Sequence, residues 1–175
     1  GLVELDTRAE PEVLSVLTGQ PALPGAQLAT LQSLVVQDLR KLNFPGATDP
    51  EDTWKVAPEA DRIGYRFKGG RPLDFVPRTP PFGAGSDPSN IVDACYPYGS
   101  VQVPSGKEPI VLHRDAVSGG GYMMVGTIIS ADMDLIGQLQ PHSPARFVKV
   151  DMDQALTARH DRQAALARLR DHLKR

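Results

Sequence analysis

A histidine, an arginine and an aspartate stand together at His113-Arg114-Asp115, and Ser118, three glycines (Gly119, Gly120, Gly121) and Tyr122 follow at once. On an alternating strand end, His113 and Asp115 project to one face. An imidazole base with an orienting carboxylate is then one reading of the pair, and a structural or surface pair is the other. Glycines beside a strand end imply φ > 0 or a close approach of the backbone to something else, and a hairpin with a bulge is the competing reading. Asp, Ser and glycines beside a Gln-bearing strand tilt the balance toward a ligand pocket. Ser118 has no Gly-x-Ser-x-Gly elbow to mark it as a nucleophile. Arg62, in the run Asp61 to Tyr65, could hold a carboxylate or an oxyanion, or pair with Asp61, Glu59 or another strand. Gln102 alternates with Val101 and Val103, so with the valines facing the core it turns to water or to a partner surface. The four histidines (His113, His142, His160, His172) are scattered, without the close ligand pairs of a zinc site. The glycine run also lacks the lysine and following helix of a phosphate loop.

Elements must hold these groups. The runs 53–56, 63–67, 100–103, 110–113, 122–129 and 146–150 have the length and β-branching of strands. Leu28, Leu31, Val35, Leu39 and Leu42 recur at three- and four-residue steps, which predicts a helix within a helical segment over residues 1–50. Pro45-Gly46 ends that pattern. The proline- and glycine-rich interval 71–90 reads as a long ordered loop or an edge excursion. A short helix is expected over 131–139, with Met133, Leu135 and Ile136 on its apolar side. Asp151 and Gln154 form a capping box that opens a C-terminal helix. Met152, Ala155, Leu156, Leu166, Leu169 and Leu173 give that helix one apolar edge.

The 175 residues suit one domain with a real core. Sixteen Gly and sixteen Pro favour turns and short strands over a helical bundle. A formal charge of −2 argues against a nucleic-acid surface, which needs a basic face. The single Cys95 excludes an internal disulfide and fits a reducing compartment. No apolar run approaches transmembrane length and no basic-then-apolar leader opens the sequence, so a cytoplasmic protein that contacts neither membrane nor nucleic acid is expected.

Several stretches together resemble one carboxyltransferase family. They are Trp54-Lys-Val56, Asp61 to Phe67, Asp87-Pro-Ser-Asn-Ile91 and Gly99 to Pro104. They continue through Pro109 to Leu112, Asp115, Ser118, Gly120-Gly-Tyr122, Thr127 to Asp132, Gln138 to Pro141 and Arg146-Phe147. The family includes allophanate hydrolase subunit 2, the carboxyltransferase domain of urea carboxylase and the C subunit of 5-oxoprolinase. The resemblance runs in unbroken order over residues 54–150. It implies a mainly β fold, a cyclophilin-like barrel over 51–150, between the N-terminal helical segment and the C-terminal helix of 151–175.

It also implies a division of labour. Such a barrel is one half of a composite site completed by a subunit 1-type partner, so assembly with other chains is expected. Carboxybiotin, held on a carrier domain rather than on this chain and charged by a biotin carboxylase, gives its carboxyl group to an amide-type nitrogen of a small substrate. No catalytic metal is implied. Asp115 would be the base, with Gln102 and Tyr122 beside it as catalytic groups. Arg62, His113, Ser118 and the amides of Gly119, Gly120 and Gly121 would bind substrate and stabilise charge on the ureido oxygen. The sequence also departs from its relatives. Ala116-Val117 stands where many carry Arg-Gln, Met124 replaces a lysine, and Pro141-His142-Ser143 replaces Pro-Gly-Asp. These changes imply a different acceptor or a weakened catalyst. They keep two other readings open: a component similar to the C subunit of 5-oxoprolinase, or a non-catalytic binding module of the same family.

Overall fold

The computed structural model describes residues 53–75 and 82–174, together with the backbone of two earlier strands, Ala29–Leu34 and Leu42–Asn43. In chain order the strands are β1 (Ala29–Leu34), β2 (Leu42–Asn43), β3 (Trp54–Val56), β4 (Gly64–Lys68), β5 (Asp74–Phe75) and β6 (Asn90–Cys95). They continue with β7 (Ser100–Gln102), β8 (Ile110–Leu112), β9 (Gly119–Tyr122), β10 (Met124–Ile128) and β11 (Pro144–Val150). Two helices follow β10 and β11: α1 (Met133–Ile136) and α2 (Met152–Leu173).

Seven strands close into a barrel in the order β1-β10-β7-β8-β4-β3-β11, and β11 returns to β1. Alternation builds its inside. In β3, Trp54 and Val56 are buried and Lys55 is exposed, and in β11 Ala145, Phe147 and Val150 turn inward. Phe67 and Trp54 both set their rings edge-on to Phe147, at 5.3 and 6.4 Å between centroids. Val101, Val111, Val125 and Ile128 complete that layer, and α1 adds Met133, Leu135 and Ile136 to the same core.

β1 overturns the helix expected from the leucine spacing. Its six residues pair in parallel with β11, Ala29 opposite Ala145 through Leu34 opposite Val150. On its other side Ser33 and Leu34 pair with β10. Without β1, both β10 and β11 would present open edges, so ladder hydrogen bonds outweigh a helix-like spacing in this segment. The barrel therefore begins within the segment read as helical. The remaining expectations for residues 1–52, including the first helical piece, lie outside the described residues.

The second difference concerns the long run 122–129. It is broken at Met123, whose amide donates to the Ser89 carbonyl at 2.8 Å. Before the break, the glycines form β9, paired with β6 in a separate two-stranded sheet. After it, β10 enters the barrel beside β7 with a register shift between Met124 and Gly126.

The capping box stands. The Gln154 amide donates to Asp151 Oδ1 at 2.8 Å, and the Asp151 amide donates to Gln154 Oε1 at 2.9 Å. The apolar edge expected on α2 holds in part: Ala155, Leu166 and Leu169 are half-buried on the side of the buried Ala165, while Met152, Leu156 and Leu173 are exposed. An ion pair from Arg162 to Asp134 ties α2 to α1. Among the described residues no helix is long and apolar enough to cross a membrane.

Candidate functional site

The end of the barrel where β8 exits and β7 enters gathers the polar groups. Asp61 opens β4 with a local turn, its Oδ1 accepting from the Ile63 amide at 2.8 Å and the Gly64 amide at 3.1 Å. That turn holds Arg62 against the chain leaving β8. The His113 amide donates to the Ile63 carbonyl at 3.0 Å and the Asp115 amide to the Arg62 carbonyl at 2.9 Å, so the ladder continues past the last residue of β8. Across it lies a two-pronged ion pair. Arg62 Nε donates to Asp115 Oδ2 at 2.7 Å and Nη2 to Oδ1 at 3.0 Å. The guanidinium is the first reason the Asp115 carboxyl sits below its ordinary range, with partial desolvation opposing it. Both partners are exposed, so water screens the pair and it adds little to stability.

β7 supplies the facing wall. Ahead of it, Gly99 takes φ +89° and its amide donates to the Leu112 carbonyl at 3.0 Å. The Ser100 hydroxyl and amide both donate to the Pro97 carbonyl, at 2.6 and 3.0 Å. This turn swings Tyr98 beside His113, with ring centroids 5.5 Å apart, while Tyr65 lies 5.7 Å away on another side. The Tyr98 hydroxyl and His113 Nε2 are 3.5 Å apart, and Nδ1 is buried without a partner. Desolvation is the main reason the imidazole pKa falls, helped by Arg114 and Arg62 and opposed by Asp115. His113 is therefore held neutral near pH 7. The Arg114 guanidinium lies over the Tyr98 ring, 4.5 Å from its centroid. Tyr96, Tyr98, His113, Arg114, Val117 and Ser118 line a cleft of about 270 Å³.

The groups picked from the sequence divide between two places. His113, Asp115 and Ser118 lie on the 113–118 segment, with His113 and Ser118 on the cleft wall and the Asp115 carboxylate turned to Arg62 in the facing turn. His113 and Asp115 influence each other's charge, but the carboxylate gives both oxygens to Arg62 and does not orient the ring. Gln102 lies elsewhere. It is 6% exposed, as buried as Val101 and Val103, so the turn toward water or a partner is not made. Its side chain instead lies near the Tyr96 phenol, whose pKa it lowers.

Gly119, Gly120 and Gly121 are not among the glycines with positive φ, and at Gly120 and Gly121 close approach is what they serve. A Cβ on Gly120 would lie 3.3 Å from Tyr96 Cε2, and one on Gly121 would lie 3.1 Å from the Ile91 carbonyl. Tyr122 ends β9 with its side chain exposed. Tyr96, Tyr98 and Arg114 were not singled out from the sequence. The signal for the tyrosines was the Tyr-Pro-Tyr-Gly run directly ahead of a strand. Among the described residues no three His, Cys, Asp or Glu side chains gather in a way that could hold a metal.

A small closed barrel with a cleft at the mouth, walled by aromatic rings and supplied with a cation and hydroxyls, has room for a small polar molecule. Residues 13–149 match the family described as carboxyltransferase domain, subdomain A and B, and the chain belongs to that family. It is 36% identical over 110 residues to the C subunit of 5-oxoprolinase from Escherichia coli (strain K12), a match spanning 63% of this chain and 32% of that protein. It is 28% identical over 120 residues to the urea amidolyase of Lachancea kluyveri, spanning 69% of this chain and 6% of that one. The crystal structure of the Kluyveromyces lactis urea carboxylase superposes with a TM-score of 0.70 at 23% identity, over 89% of this chain and 13% of the larger one. That likeness is one of fold. The chain thus spans about a third of the 5-oxoprolinase relative and a much smaller share of the urea-processing proteins.

Proposed function

We propose that this barrel is one half of a biotin-dependent carboxyltransferase site, completed by a subunit 1-type partner, in which a small amide-type nitrogen receives a carboxyl group. The observation that carries the reading is the carboxyltransferase family match over residues 13–149. The cleft fits the biotin head group in kind. A flat ring bearing one carbonyl oxygen suits walls made by Tyr96, Tyr98, Leu112 and Val117, and Arg114 and the Ser118 hydroxyl can donate to that oxygen. When bound, carboxybiotin supplies the carboxyl group to be transferred.

Of the chain's own residues, Arg114 brings positive charge to the cleft, where charge developing on an oxygen is stabilised. His113, held neutral, can accept the proton that the substrate nitrogen gives up. Asp115 can take that proton itself only once Arg62 lets go, because the ion pair ties up both its oxygens. A second reading is a component similar to the C subunit of 5-oxoprolinase, favoured by 36% identity to that protein against 28% to the urea amidolyase.

The test is reconstitution with a subunit 1-type protein, a biotin carboxylase and a biotinylated carrier, offering urea or 5-oxoproline. The reading expects ATP-dependent bicarbonate incorporation with urea. It also expects His113→Ala or Arg114→Ala to lower the rate by about a hundredfold. Turnover of 5-oxoproline alone selects the second reading, and no turnover of either compound by the assembled complex removes both.

A further inference from the structure

We propose that Tyr96 is a positioning residue that couples the wall of the cleft to the glycine strand β9, so that whatever fills the cleft acts on that strand through one phenol. The inference rests on the reading of the cleft as a binding site. Tyr96 follows β6, lines the cleft beside Tyr98 and His113, and is 7% exposed. Its hydroxyl reaches the backbone of β9. It is 2.6 Å from the Gly120 carbonyl and 2.6 Å from the Tyr122 carbonyl, and it accepts from the Tyr122 amide at 2.9 Å. One phenolic proton serves two carbonyls there. Residues two apart on a strand direct their backbone groups to the same side, so the hydroxyl closes that side of β9 at both Gly120 and Tyr122. The neighbouring strand β6 pairs with β9 at Asn90, Ala94 and Cys95.

The glycines make this possible. The Tyr96 ring edge occupies the space that a side chain at Gly120 would enter, 3.3 Å from an ideal Cβ. The backbone of Tyr96 is tied to the cleft as well, since its amide donates to the Ser118 carbonyl at 2.8 Å. Gln102, buried on β7, lies near the same phenol and lowers its pKa. Burial is the main reason the phenol pKa is raised, with the Tyr122 amide and Gln102 opposing and Asp93 adding to it. The group therefore stays protonated, as a hydroxyl serving two carbonyls must. A ligand pressing on the Tyr96 ring moves the hydroxyl against three backbone atoms of β9, and a strained β9 moves the cleft wall.

Tyr96→Phe keeps the ring and removes the hydroxyl. Amide exchange at Tyr122 should accelerate about tenfold, the loss of one ordinary hydrogen bond. The His113 imidazole resonances should shift in the same protein without any ligand. The dissociation constant for 2-imidazolidone, a cyclic urea, should rise about tenfold. Exchange at Tyr122 or His113 resonances identical to wild type would overturn the proposal. Failure of 2-imidazolidone to bind even wild type would remove the cyclic urea as occupant and leave those two ligand-free readouts to decide on Tyr96. Should Tyr96→Phe fail to fold, Gly120→Ala supplies the same decision by displacing the ring. His113 resonances should move on Gly120→Ala in the wild-type background. No movement in the wild-type background overturns the coupling.

Discussion

Ser89 has no exposed surface and holds three segments together, which makes Ser89→Ala the most informative single change outside the cleft. Its hydroxyl donates to Asp87 Oδ1 at 2.5 Å and accepts from the Ser105 amide at 2.8 Å, while its carbonyl accepts from the Met123 amide at 2.8 Å. Asp87 in turn accepts from the Ser105 hydroxyl at 2.8 Å. The start of β6, the turn after β7 and the junction of β9 and β10 thus meet at one residue. Alanine removes a bond to a charged acceptor, worth about 1.5–3 kcal/mol, and leaves the Ser105 amide without its partner. Ser105 is exposed and water can replace that bond, so a loss of about 2 kcal/mol is expected. For a chain of this size that lowers Tm by about 4–8 °C. Acid should discriminate further. The Ser89 hydroxyl is the first reason the Asp87 carboxyl lies below its ordinary range. As pH falls below about 4 the unfolded chain takes up the proton first, so wild type loses stability there. Ser89→Ala should flatten that acid limb. Urea unfolding between pH 7 and 3 measures both effects. A change under about 0.5 kcal/mol, the size of an ordinary surface substitution, or an acid limb as steep as wild type, would refute the reasoning.

The remaining expectations are of three kinds. Phe67→Ala removes a ring with no exposed surface from beside Phe147 and should cost about 3–5 kcal/mol by urea unfolding. Gly70→Ala would set a Cβ 2.2 Å from Trp54 Cε2. It should displace the indole, seen as a red shift of tryptophan fluorescence with a loss of about 1–3 kcal/mol, and an unchanged spectrum would count against the packing described. His113, facing Tyr65, Tyr98, Arg62, Arg114 and Asp115, has its pKa lowered mainly by burial. The unfolded chain then binds the proton first, so stability rises as pH increases through about 6.5 and is complete above it. His113→Gln should remove that rise, and an NMR titration should place the imidazole midpoint below the ordinary value.

Local chemistry was legible and long-range pairing was not. The capping box at Asp151 and Gln154 depends on four consecutive residues, and strand 110–112 is a short apolar run with two β-branched residues, so both could be read directly. β1 could not. Its leucines repeat with helical spacing, and only the ladder to β11 decides the segment. β6 was hidden for a similar reason. Asp93 and Ala94 are poor strand formers, and the segment pairs because a side-chain-free strand lies next to it. At the site, the pairing of Arg62 with another strand was one of the options the sequence left open, but the partner was not. Gln102 alternates with two valines yet all three are buried, with Gln102 near the Tyr96 phenol.

The two ways Asp115 can act make opposite demands on Arg62. As a fixed member of the ion pair, the carboxylate holds the 113–118 segment against the turn at Asp61, and its proton affinity is lowered by the very contact that positions it. As a base it must regain that affinity, which requires the guanidinium to turn elsewhere. Within the cleft the groups on offer are a cation, hydroxyls and an imidazole kept neutral by burial. They can polarise an oxygen and take one proton weakly. An anion arriving from outside, a substrate carboxylate or an acidic side chain on a partner, would compete with Asp115 for Arg62, raise the Asp115 pKa and free its oxygens in one event. Ion-pair exchange of this kind needs little energy at an exposed pair, and under the proposed function it would supply a base only when such an anion is in place.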